Sequence, residues 1–97
     1  MKLNFITLMI RDIEKTIELY QKLAHLHIVE RFNPGMGEIV FMANEDNETK
    51  LEFVQFENVP AVDVSGMTMS FLVTDNLEDI RSLAIKMGYQ PSEIIKE

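Results

Sequence analysis

One short pattern, an apolar run closed by a charged residue and followed by an amphipathic helix, occurs twice in this chain at an offset of 63 residues. LMIRD at 8–12 returns as FLVTD at 71–75, Ile17 returns as Ile80, and His25 falls opposite Gly88. Any strand-cap-helix unit would show part of this correspondence, but the matches together point to a duplicated module. Repeated strand-helix units restrict the chain to sheets with helices packed on them, here of the α+β class.

Within the first copy the order of elements is β-α-β-β-β. Residues 3–10 (LNFITLMI) are apolar and β-branched over one strand length. Asp12 stands where an N-cap belongs, and Ile13, Ile17, Tyr20 and Leu23 follow at helical spacing with charged residues between them. Leu26–Phe32 reads as a strand, Asn33-Pro34-Gly35-Met36-Gly37 as a turn, Glu38–Ala43 as a strand, 44–49 as a polar hairpin loop, and Lys50–Phe56 as the last strand. A connector, 57–65, leads to the second copy. There Gly66–Thr74 is expected to be a strand, Asp75 an N-cap, and Leu77, Ile80, Leu83, Ala84 and Met87 the apolar face of a helix. Gly88 fits the position just past the helix end, and 89–97 reads as a loop and the start of another strand. The expectation is one domain over 1–97, with a complete module over about 1–57 and an incomplete one over about 66–97. Completing the second copy would take roughly 30 further residues.

Sixteen acidic and nine basic residues give a net charge of -7, which disfavours phosphate backbones and anionic membranes. Nucleic acid is therefore not an expected partner, and no apolar run approaches the ~18 residues of a membrane span. The apolar start alternates with polar residues and lacks a small-residue cleavage site, so it reads as a strand rather than an export signal. With no cysteine there is no disulfide framework, and the cytoplasm is the expected compartment.

The stretch Leu3–Phe32, with Asp12 capping the helix and Leu19-Tyr20 late in it, resembles the glyoxalase/bleomycin-resistance (vicinal oxygen chelate) superfamily. VTDNLEDIRSLAIKMGY resembles that family's second strand-helix unit. His25 departs from the usual glycine, so it must adopt a left-handed conformation or reshape the turn. The resemblance implies two modules whose sheets curl around a ligand cavity, with a divalent metal in the family's enzymes. Its ligand positions would fall at Phe5, at Glu52, at or next to Met69, and on a final strand beyond the sequence. Phe5 cannot bind a metal, and a Met69 thioether is a poor ligand for hard or borderline ions. Glu52 is the one family-position ligand retained, so no metal and no cofactor are expected.

What remains is a surface of Phe5, Met9, Phe56, Met69 and Phe71 around Glu52, with Thr7, Val54 and Val73 on the same sides of their strands by period-two alternation. It reads either as plain core closed over by another chain, or as a ligand-binding cleft with one carboxylate. Seven methionines suit both an adaptable lining and an ordinary core. His25 and His27, two residues apart, could share a strand face as a metal-binding pair, or serve as a turn residue and an exposed strand residue. No nucleophile is evident: cysteine is absent, and Ser65, Ser70, Ser82 and Ser92 stand in no elbow or triad-like setting. No catalytic residue is assigned, and the sequence leaves enzyme activity open.

Three functions are compatible with these residues. The first is a non-metal protein of this type that binds a small apolar or cationic molecule. The second is a metal-dependent lyase or isomerase whose ligands are completed across a dimer. The third is an interaction or regulatory module. An incomplete second module leaves strand edges uncovered, which favours a homodimer.

Overall fold

Why the first helix starts and stops where it does explains most of the architecture. The computed structural model describes residues 1–63 and 65–95. Its elements are β1 (Phe5–Met9), α1 (Ile13–Ala24), β2 (His27–Phe32), β3 (Gly37–Ala43), β4 (Lys50–Phe56) and α2 (Leu77–Lys86). The Asp12 carboxylate accepts from the Lys15 amide at 3.1 Å, as an N-cap should. At the far end His25 takes the left-handed conformation with φ 55°, and the Leu26 amide donates back to the Tyr20 carbonyl. A non-glycine residue in that conformation carries a modest strain, which the chain accepts in order to turn directly into β2.

The four strands form one sheet in the order β1-β4-β3-β2. β1 runs parallel to β4, while β3 is antiparallel to both β4 and β2. The connection through α1 therefore joins the two edge strands, and the helix lies across the sheet between them. Alternation along the strands directs Leu8, Val40, Met42 and Phe53 toward α1, where they meet Ile13, Ile17 and Leu26. Val40 and Met42 are fully buried and Phe53 is 1% exposed, so the centre of the core lies under the helix. Tyr20 adds its ring to Phe53, with centroids 4.8 Å apart.

Polar contacts fix the helix in place. The Gln55 Oε1 accepts from the Ile13 amide at 2.8 Å, satisfying one of the helix's orphan donors from the sheet. Arg31 on β2 bonds Glu38 on β3 through Nε at 2.7 Å and pairs with Glu14 in the first turn of α1. The Arg31 hydrogen bond holds the Glu38 carboxyl below its usual range. At the start of β3, Gly37 has φ 147°, and a Cβ there would overlap the Gln55 carbonyl of β4. Only glycine allows that close approach of two backbones.

The second unit corrects part of the sequence reading. Residues 66–74, expected to be a strand, are not one. A strand needs a neighbour to share its backbone hydrogen bonds, and among the described residues the outer edge of β1 receives only the Val62 amide, on the Met9 carbonyl, at 2.9 Å. The cap of α2 is Asn76, whose Oδ1 accepts from Glu78 and Asp79; Asp75 instead bonds His25. Gly88 does follow the helix end in a left-handed conformation (φ 95°), with Tyr89 donating to the Ala84 carbonyl and Gly88 to that of Ile85. The further strand expected over 89–97 is absent as far as residue 95, and Lys96 and Glu97 lie outside the described residues. Arg81 ties this segment to α2 through the Ser92 carbonyl at 2.9 Å. Among the described residues, no helix is long and apolar enough to cross a membrane.

Two outcomes follow for stability. Phe53→Ala should cost about 3–5 kcal/mol, read from the urea midpoint, because its ring is enclosed by α1 and the sheet. A loss under 1 kcal/mol would mean that the ring is not enclosed. The lowered Glu38 carboxyl contributes stability that is present above the ordinary glutamate range and is lost as pH falls through its folded value. Glu38→Gln should therefore lower the midpoint at pH 7, and the gap to the parent should narrow as pH falls below the ordinary glutamate value of about 4.3. A gap unchanged from pH 7 to 3 contradicts the ion pair.

Candidate functional site

Because α1 covers one face of the sheet, alternation leaves the other face to the residues between the core positions. On β1 these are Phe5, Thr7 and Met9, and on β4 Glu52, Val54 and Phe56. In the register Thr7 lies beside Glu52, Met9 beside Val54, and Phe41 of β3 on the other side of Glu52. The Thr7 hydroxyl donates to the Glu52 carboxylate, so one carboxylate oxygen is oriented and the other is left available. Phe5 packs its ring edge-on to Phe41 with centroids 5.3 Å apart. Glu52 thus stands between a hydroxyl and an aromatic pair.

This surface is open. Phe5 and Phe32 are each 41% exposed, Glu52 and Phe56 are half-buried, and Val54 at 3% is the member most fully enclosed by its neighbours. No charged or polar side chain is buried among the described residues, so Glu52 is not the enclosed carboxylate that a closed cleft would hold. A depression of about 200 Å³ at one end is lined by Phe5, Phe41, Lys50 and Glu30. Phe56 lies toward the opposite end, beside Gly37 and Val59 in a second depression.

The two remaining residues of the expected surface lie elsewhere. Met69 packs against the core under α1, with its sulfur 3.7 Å from the Tyr20 hydroxyl. Phe71 stacks beside the same tyrosine, centroids 6.1 Å apart. Within one chain the sheet therefore separates Met69 and Phe71 from Phe5, Thr7, Glu52 and Phe56. The physical reason is the missing strand pairing at 66–74: without a fixed register the segment follows its apolar side chains onto Tyr20. Burial in that company pushes the Tyr20 phenol up.

The histidines also part company. His25 Nε2 lies 2.8 Å from the Asp75 carboxylate, and His27 Nε2 lies 2.6 Å from that of Asp46. Each ring is in contact with its own acid on the surface, so they do not form a shared pair. Residue alternation identified Thr7 as a face-mate of Glu52 but gave no sign of its hydrogen bond. Phe41 was missed altogether, although the six-residue loop between EIVFMA and KLEFVQF would have placed it opposite Glu52.

The family's metal does not fit the donors of one chain. Among the described residues no group of three or more His, Cys, Asp or Glu side chains could hold an ion. Phe5 has no donor atom, Glu52 supplies a single carboxylate, and Met69 lies across the sheet.

Comparison with known proteins gives the fold a family. The crystal structure of SMU.1112c superposes on 100% of this chain and 82% of its own with a TM-score of 0.66. The two sequences are 14% identical, so this likeness speaks for the fold alone. Among curated proteins no match is found. The family model for the Glyoxalase/Bleomycin resistance protein/Dioxygenase superfamily matches residues 2–96. Together with the βαβββ module of residues 5–56, that match makes this chain a member of the Glyoxalase/Bleomycin resistance protein/Dioxygenase superfamily.

Proposed function

We propose that this superfamily member binds a small apolar or cationic molecule on the open face of its sheet, with Glu52 as the charged contact, and that it does so as a homodimer. The observation that carries the reading is the Thr7-oriented carboxylate of Glu52 between Thr7 and Phe41, with the Phe5–Phe41 pair beside it. A carboxylate flanked by aromatic rings suits an organic cation: the charge is matched, and the apolar part meets rings and methionine. Net charge of -7 favours the approach of such a ligand and opposes an anionic one.

The face is too open to bury a ligand in one chain, and ligand sites normally cover most of their guest. A second copy laid over Phe5, Phe32 and Phe56 would supply the missing wall and cover apolar surface that is costly to leave in water. Binding is preferred over catalysis because the carboxylates that the described residues bring to this face, Glu52 and, across Phe41, Glu30, stand beside no activated nucleophile.

Benzyltrimethylammonium and its neutral isostere neopentylbenzene serve as probes. Glu52→Gln is expected to weaken binding of the cation about fivefold to tenfold and to leave the neutral compound unchanged, as suits one carboxylate–cation contact. Equal affinities of parent and variant for the cation would remove Glu52 from the reading. Light scattering at micromolar concentration should give the mass of two chains, and a stable folded monomer contradicts the dimer.

A further inference from the structure

A second, mostly apolar cleft lies on the other side of the sheet from Glu52. It is a cleft of about 730 Å³ between α1 and residues 61–63, 67 and 69. Its floor is apolar, formed by Leu8, Leu19, Tyr20, Phe53, Met67 and Met69. Leu8 and Phe53 are core residues, so a guest there would rest directly on the packing that holds α1 to the sheet.

The rim carries charge with an unequal distribution of partners. Asp12 and Asp63 line the cleft, but each is engaged locally: Asp12 accepts from the Lys15 amide, and Asp63 from the Ser65 amide at 2.9 Å. Arg11 and Lys15 line it too, and neither side chain forms an ion pair or hydrogen bond among the described residues. Elsewhere Lys22, Arg31 and Arg81 are all paired with acids. Among the described residues Lys2, Lys50 and Lys86 likewise have no acid partner, but Arg11 and Lys15 are the two bases that line this cleft. Acids more than about 8 Å away are largely screened at physiological salt. The rim's own two acids and two bases therefore set a balanced local charge in which the bases are the groups left to pair with a guest.

We propose that this cleft binds an amphipathic carboxylate, with its apolar tail against Leu19, Tyr20, Met67 and Met69 and its head between Arg11 and Lys15. Guanidinium and ammonium donors give a carboxylate charge-assisted hydrogen bonds, and Arg11 offers a two-pronged one. The volume falls in the range of small-molecule sites, and the lining has their usual make-up of many apolar groups and a few polar ones. Met67 and Met69 are flexible enough to fit tails of differing shape. This assignment does not rest on the reading of Glu52, since the two surfaces are on opposite faces of the sheet.

The test is a titration of the ¹⁵N-labelled protein with octanoate and, separately, with octan-1-ol, which has the same tail and no charge. Octanoate should shift amides over 11–20 and 61–69, leave Thr7 and Glu52 unmoved, and bind about tenfold more tightly than the alcohol. Arg11→Gln combined with Lys15→Gln keeps both side-chain stems and should abolish that preference while octanol binding persists. Equal affinities of the parent for acid and alcohol would overturn the proposal. So would shifts confined to the Glu52 face, no shifts at all, or an unchanged preference in the double variant whose melting temperature matches the parent.

Discussion

Everything else in this fold depends on the seating of α1 across one face of the sheet. Ile13, Ile17 and Tyr20 present an apolar stripe, and Leu8, Val40, Met42 and Phe53 receive it. The helix is fixed at its start by Asp12, by the Gln55 side chain and by the Arg31 fork, and at its end by the left-handed turn at His25. Side chains alternate along a strand, so burying one face determines which residues are left on the other. The open surface around Glu52 is in that sense a consequence of the core, and the two must change together in any register shift.

That dependence explains what could be read in the sequence. The first module was legible because each signal in it has a local cause: Asp12 caps, Ile13 and Ile17 repeat at helical spacing, Gly35 and Gly37 mark a turn, and β4 is a run of strand-forming residues after a polar loop. Even the strain at His25 was visible as a histidine where a glycine is usual. The second unit was less legible because β structure is not local. The run at 66–74 has the residue types of a strand, but strand formation also needs a partner edge, which no propensity reports. The error at Asp75 has a smaller cause. Aligning the two copies placed the cap by analogy with Asp12, whereas the helix begins one residue later and Asn76 takes the role.

The same failure governs the site. Placing Met69 and Phe71 beside Glu52 assumed a strand whose alternate residues face the cavity. Without the strand that rule does not apply, and the two side chains join Tyr20 on the helix side. Phe5, Thr7 and Glu52, which belong to paired strands, share a face as alternation requires. One consequence is chemical: the positions at which relatives' metal ligands would be sought are divided between two sides of the sheet, and only Glu52 carries a carboxylate. The membership of this chain in the superfamily therefore describes its backbone better than its reactivity.

The central claim is that the sheet separates two surfaces, with Met69 beside Tyr20 under the helix and Glu52 beside Thr7 on the open face. Nuclear Overhauser contacts from the Met69 methyl group test it most directly, in protein diluted until the contacts are those within one chain. The account predicts contacts to the Tyr20 and Phe71 rings and none to the Thr7 methyl. Contacts from Met69 to Thr7, with none to Tyr20, would place the two on one face and contradict it.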